Sequence, residues 1–116
     1  MSVFLFPGQG SQKVGMGADF FEASAPARGI FDRAVAVAPN GFFDRVFEGE
    51  AGWINDTRNA QPALVTVEAA IAAHLRANGH EPDACAGHSV GEIAALITAG
   101  VCVFEDGREC EEWAFF

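Results

Sequence analysis

The hydrophobic and polar positions divide the chain into short apolar runs, glycine-rich turns and longer stretches of helical period. Val3–Phe6 is a run of four apolar residues ending at Pro7-Gly8, which predicts a buried strand entering a loop. Pro7 to Gly17 carries Gly8, Gly10, Gly15 and Gly17 and reads as loop, with a short helix at 19–24. Pro26 suits the first turn of a helix, and Ile30, Phe31, Ala34, Val35 and Ala38 form its apolar stripe until Pro39-Asn40-Gly41 stops it. Residues 42–47 predict a shorter helical turn and 49–56 a loop. The strongest helix spans 61–78, with Pro62 in its first turn, Leu64, Val67, Ile71 and Leu75 on one stripe, and Gly79 at the left-handed cap. Residues 83–87 predict a second buried strand, 90–98 a helix, and the segment from about Glu105 a last helix weakened by Gly107.

Strand, helices, strand, helix is an α/β arrangement with parallel pairing. Parallel sheets are covered on both faces and normally hold more strands than two. The pattern therefore predicts a partial parallel sheet with flanking helices, one portion of a larger sheet.

Composition narrows the function. The 116 residues are 50% hydrophobic and 20% charged, which is one small domain's worth of chain and too apolar for disorder. Seven basic against 16 acidic residues give a net charge of −9. Such a chain fits neither nucleic acid nor an anionic membrane. Glu105, Asp106, Glu109, Glu111 and Glu112 read as a solvated helix face. Cys85, Cys102 and Cys110 form no CxxC pair, so neither a disulfide framework nor a zinc ribbon is expected; Cys85 and Cys102 read as small core residues. The apolar start is too short and lacks the basic flank of a signal peptide, and no stretch has the length of a membrane span, so the cytoplasm is the expected location.

The chemistry centres on Gly87-His88-Ser89-Val90-Gly91-Glu92, a Gly-x-Ser-x-Gly string between a strand and a helix. In a nucleophile elbow of this form, a tight turn raises the serine hydroxyl at the strand's carboxyl end, and the flanking glycines admit the neighbouring helix and strand. Ser89 then lies at a helix N-terminus, where free N–H groups favour developing negative charge, and the N–H of Val90 is the natural first oxyanion donor. A chance match in a glycine-rich loop is the bland alternative. The string Pro7-Gly8-Gln9-Gly10-Ser11-Gln12 follows the first strand and can deliver a second N–H to the same oxyanion; an ordinary turn is its alternative. A phosphate loop fails, because Lys13 stands at the third glycine position and no Gly-Lys-Ser/Thr occurs. His74 is expected at the surface of the long helix and His80 in a loop, neither spaced for metal. His88 and Glu92, four apart, do not make a metal pair either, since His88 falls in the turn.

With these strings the sequence resembles the malonyl-CoA:acyl carrier protein transacylases and the acyltransferase domains of polyketide and fatty acid synthases. The resemblance runs from Val3 to about Phe104. It is carried by Phe4 to Gln12 with Gly15-Met16-Gly17, by Asn59-Ala60-Gln61-Pro62-Ala63-Leu64, and by Ala86 to Leu96 followed by Ala99-Gly100-Val101. It implies the N-terminal portion of an α/β-hydrolase-like acyltransferase core. Ser89 matches the serine that takes the malonyl group from malonyl-CoA and yields it to the phosphopantetheine thiol of acyl carrier protein. Gln9 and Val90 match the residues whose N–H groups form the oxyanion hole. His88 matches a site-lining histidine that is not the base. Gln61 matches a glutamine near the site floor, and otherwise reads as a polar residue at a helix start. The resemblance implies no cofactor, a coenzyme A thioester as substrate and acyl carrier protein as partner.

The resemblance also implies parts this sequence does not show. The family's base histidine lies beyond residue 116, its carboxylate-clamping arginine aligns with Ala114, and Arg108 falls on another helix face. The small inserted subdomain and C-terminal half are absent, so residues 1–116 are expected to be the first part of the catalytic domain, with little turnover alone. Two other readings stay open. One is a serine hydrolase or thioesterase-like half completed by a partner chain. The other is a non-catalytic interaction module that pairs through its exposed sheet edge.

Overall fold

The computed structural model describes residues 1–101. The element order is β1 (Val3–Phe6), α1 (Ala18–Ala23), α2 (Ala25–Val35), α3 (Phe42–Glu48), α4 (Ala51–Ile54), α5 (Thr57–Ala77), β2 (Ala84–Gly87) and α6 (Gly91–Thr98). The α/β class and the two parallel strands are as the sequence predicts. The expected C-terminal helix, the acidic cluster, Cys102, Cys110, Arg108 and Ala114 lie outside the described residues.

β1 pairs with β2 in parallel, Val3 with Ala84, Leu5 with Ala86 and Phe6 with Gly87. Phe4 and Phe6 turn toward Ala72, Ala94, Ala95 and Cys85, closing a small core between the sheet and helices α5 and α6. The expectation that both strands are buried is corrected. Val3 is 43% and Leu5 76% exposed, and Ala84 and Ala86 beside them are also exposed. One face of the sheet is bare, because nothing among the described residues packs on it.

The larger core lies on the other side of α5. Phe31, fully buried on α2, receives the edges of Phe21, Phe43 and Phe47 at centroid separations of 5.5–5.6 Å. Phe21, Phe43 and Phe47 thus gather around Phe31 in one aromatic cluster, each meeting it in the T-shaped geometry that ring quadrupoles favour. Gly17, with φ +81°, lets α1 begin where a Cβ would sit 3.0 Å from both Phe31 Cζ and Val67 Cγ2.

The long helix starts a turn earlier than its periodicity suggests. Asp56 caps it by accepting from the Arg58 N–H at 3.0 Å, and its hydrogen bonds from the Arg58 side chain hold its carboxyl below the usual range. Pro62 is therefore in the second turn, not the first. There its missing N–H leaves only the exposed Arg58 carbonyl without its helical partner, which is why the helix tolerates it. At the other end, Gly79 at φ +87° closes a Schellman motif, with His80 N donating to Leu75 O at 3.0 Å and Gly79 N to Arg76 O at 3.0 Å. Residues 51–54, expected as loop, form the one-turn helix α4, which carries buried Ile54 into the aromatic core. His74 is corrected as well: it is half-buried, its Nδ1 lies 2.8 Å from Ser24 Oγ and its ring stands edge-on to Phe20. No described helix is long and apolar enough to cross a membrane.

Candidate active site

The turn from β2 into α6 has the geometry that its glycine spacing predicts. Ser89 has φ +58°, the only described non-glycine residue in the left-handed region. That conformation costs an L-residue roughly 1–2 kcal/mol and persists only where the surroundings fix it. The surroundings here are backbone. A Cβ on Gly87 would overlap the Gly91 carbonyl group, and a Cβ on Gly91 would overlap the Phe6 carbonyl. α6 can thus begin directly against the end of β1. The turn is held by Gly91 N and Glu92 N, which donate to His88 O and Ser89 O at 3.0 Å each, and by His88 N, which donates to Phe6 O at 3.1 Å.

The loop after β1 lies against this turn. A Cβ on Gly8 would overlap His88 O and come within 3.1 Å of both Ser89 Cβ and His88 Nδ1. The two glycine strings, some eighty positions apart in sequence, therefore meet at Ser89. Ser89, His88 and Gln9 are exposed, Gln61 is half-buried and Val90 is buried. Among the described residues, the N–H groups of Gln9 and Val90 have no acceptor, and Ser89 Oγ has no hydrogen-bond partner.

The position of Gln9 is fixed by Gln61 and by Thr57, a residue that no motif in the sequence marks. Its Nε2 donates to Thr57 Oγ1 at 2.7 Å, and its Oε1 is approached by Gln61 Nε2 at 3.5 Å. Beside it, Gly10 N donates to Gln12 Oε1 at 2.7 Å and Gln12 Nε2 to Asn55 Oδ1 at 3.1 Å. The corner between α4 and α5 thus latches the loop. Thr57 could be found only by placing the helix start at Asp56.

Glu68 is 7% exposed on the buried face of α5, and neither carboxylate oxygen has a hydrogen-bond partner. Burial raises its pKa to about 8. It faces a groove of about 350 Å³ lined by residues 3–7, Ser11, Met16 and the α5 residues Leu64, Val67, Ile71, Ala72 and Leu75. The signal was present in the sequence, since Glu68 interrupts the apolar stripe between Leu64 and Ile71. The described residues contain no group of three potential metal ligands.

Residues 3–110 match the acyl transferase domain family. The chain is 44% identical over 103 residues to the malonyl CoA-acyl carrier protein transacylase of Bacillus subtilis strain 168, covering 89% of this chain and 32% of that protein. Its fold is similar to the malonyl CoA-acyl carrier protein transacylase of Clostridium perfringens, with TM-score 0.84 and 36% identity over 92% of this chain and 34% of that one. It is also similar to a malonyl-transacylase solved in complex with its type II PKS acyl-carrier protein, with TM-score 0.81 and 38% identity over 89% of this chain and 34% of that one. The chain thus spans about a third of the length of the curated relatives it matches. A strained serine between β2 and α6, a glycine loop laid against it and a family match across nearly the whole chain agree: this chain belongs to the acyl transferase domain family.

Proposed function

We propose that the chain supplies the nucleophile and the oxyanion donors for malonyl transfer from malonyl-CoA to acyl carrier protein, through a malonyl ester on Ser89. The observation that carries this reading is Ser89 at φ +58° with the Gly8–Gln9 loop packed against it. Ser89 Oγ attacks the thioester carbonyl. The charge that develops on the carbonyl oxygen falls between the N–H groups of Gln9 and Val90, at the start of α6. The C–S bond breaks, coenzyme A leaves with the proton taken from the serine, and the ester remains. The phosphopantetheine thiol of the carrier then attacks the same carbonyl, and Ser89 recovers its proton. His88 lines the mouth, and Gln61 steadies Gln9 from below. A relative solved with its carrier protein supports the choice of partner. A coenzyme A donor goes with the cytoplasm as the place of reaction.

The base is a separate matter. His74 is bonded to Ser24, His80 follows α5 on the surface, and His88 has its Nδ1 beside Gly8. No described imidazole is hydrogen-bonded to Ser89, so we assign the base and the malonate clamp to the part of the acyltransferase fold beyond the described residues. A serine without a base is a weak nucleophile at neutral pH. The test joins residues 1–101 to the remaining two thirds of the Bacillus subtilis relative. The chimera should transfer malonyl groups and carry the malonyl adduct on Ser89, and Ser89→Ala should remove both. A folded chimera acylated elsewhere, or not at all, overturns the reading.

A further inference from the structure

Each of the two N–H groups proposed as oxyanion donors belongs to a peptide unit whose carbonyl is held from three residues further on. For Val90 that carbonyl is Ser89 O, which accepts from Glu92 N at 3.0 Å. For Gln9 it is Gly8 O, which accepts from Ser11 N at 3.3 Å and from Ser11 Oγ at 2.7 Å. The described peptide bonds are all trans, so in each planar unit the N–H lies opposite the C=O and turns with it. Whatever fixes the Gly8 carbonyl therefore fixes the direction of the Gln9 N–H.

The two units are held unequally. Ser89 O is caught by the first turn of α6. Gly8 O lies in a loop, and among the described residues Ser11 is its only partner. The backbone bond from Ser11 is longer than the usual N–H···O range, whereas the bond from its hydroxyl has the commonest O–H···O length. The peptide on the other side of Gln9 is held separately, since Gly10 N donates to Gln12 Oε1 and Gln12 Nε2 to Asn55 Oδ1. The 8–9 unit is thus left to the Ser11 hydroxyl.

We propose that Ser11 is a positioning residue: its hydroxyl holds the Gly8 carbonyl and so aims the Gln9 N–H at the oxyanion. The role rests on the acyl-transfer reading of Ser89; the direction of the N–H does not. A hydroxyl donating into that carbonyl also polarises the peptide, which makes its N–H a better donor. Ser11 is exposed, so removing its hydroxyl opens no cavity in the core.

The first measurement uses the 116-residue chain labelled with ¹⁵N and reads the Gln9 N–H by its residual dipolar coupling and order parameter. Ser11→Ala should change the coupling and lower the order parameter from about 0.85 toward 0.6, while the Val90 N–H keeps both. Ser11→Thr, which retains the hydroxyl, should match the parent. The second measurement uses the chimera with the Bacillus subtilis remainder. Ser11→Ala should lower kcat about tenfold with little change in the KM for malonyl-CoA, a share of the roughly 10²–10³-fold that a whole oxyanion donor supplies. Ser11→Thr should restore most of that rate. An unchanged Gln9 N–H in Ser11→Ala would overturn the proposal, and so would a loss confined to the urea midpoint. Ser89→Ala in the same series separates the two readings. A parent chimera as slow as Ser89→Ala overturns acyl transfer and the role of Ser11 with it. A fast parent equalled by Ser11→Ala overturns the role of Ser11 alone.

Discussion

Gln9 Nε2 donates to Thr57 Oγ1 at 2.7 Å, joining the loop after β1 to the first residue of α5 across 48 positions of sequence. The side chain of Gln9 is thereby committed to anchoring the loop that lies against the turn at Ser89. An oxyanion donor acts through its placement, and removal of one such donor costs about 10²–10³ in rate. In the proposed reaction Thr57 touches no reacting atom and acts as a positioning residue.

In the chimera with the Bacillus subtilis remainder, Thr57→Val should therefore lower kcat about tenfold while the KM for malonyl-CoA changes little. Thr57→Ser, which keeps the hydroxyl, should restore most of the rate. Equal losses in both variants would assign Thr57 to helix stability alone. Steady-state transfer kinetics distinguish the two.

Ser89 holds a left-handed conformation that glycine adopts without penalty. Ser89→Gly should stabilise the chain by about 1 kcal/mol, whereas Ser89→Ala, still bearing a Cβ, should not. Urea unfolding of the three proteins at one pH measures this. A destabilised glycine variant would mean that the strain lies elsewhere. Gly91→Ala acts in the opposite direction, because its Cβ would overlap Phe6 O and separate α6 from the end of β1. We expect it to lose the α6 packing.

Much of this site was legible in the sequence because its demands are local. A strand followed by Gly-x-Ser-x-Gly and then a helix has few conformations, and the elbow formed where the string lies. The glycine loop after β1 was legible for the same reason. What the sequence hid depends on distance. The start of α5 was set one turn late because Pro62 resembles a helix opening, while the capping is done by Asp56, and with that the Thr57 latch was lost. His74 looked like a surface residue because its partner, Ser24, is 50 positions away. The β1 run looked fully buried because a continuous apolar run fits a central strand. In the structure its Val3 and Leu5 side faces open space, and the missing cover is a tertiary matter no local pattern records.

Glu68 gives a prediction about stability and pH. Its folded pKa is raised by burial from the usual 4.5 to about 8, and no other lining residue of its groove ionises. Below pH 4.5 both folded and unfolded chains hold the proton, and the group imposes no penalty. As pH rises toward 8 the unfolded chain gives up its proton while the folded chain keeps it, so stability falls throughout that window and levels off above it. The total loss should be about 2–4 kcal/mol, allowing for screening at the groove mouth. Urea midpoints at pH 5 and pH 8 should show the decline in the parent chain, and Glu68→Gln should remove that part of it. A parent and variant with parallel pH profiles would show that Glu68 is ionised and solvated in the folded chain.

The isolated 116-residue chain tests the division of labour within the site. Ser89 sits in a left-handed turn, the N–H groups of Gln9 and Val90 have no acceptor among the described residues, and no described imidazole is hydrogen-bonded to Ser89. Oxyanion stabilisation without general base catalysis still accelerates acyl transfer, by about 10³–10⁴ over water in serine enzymes stripped of their triad. Incubation with malonyl-CoA should therefore give a slow, partial malonyl adduct by intact mass, absent from Ser89→Ala, with a rate that climbs as pH is raised because hydroxide takes the place of the base. Rapid stoichiometric acylation at neutral pH would mean that a base is already in reach, and His88, the nearest imidazole in sequence, would be the first residue to replace.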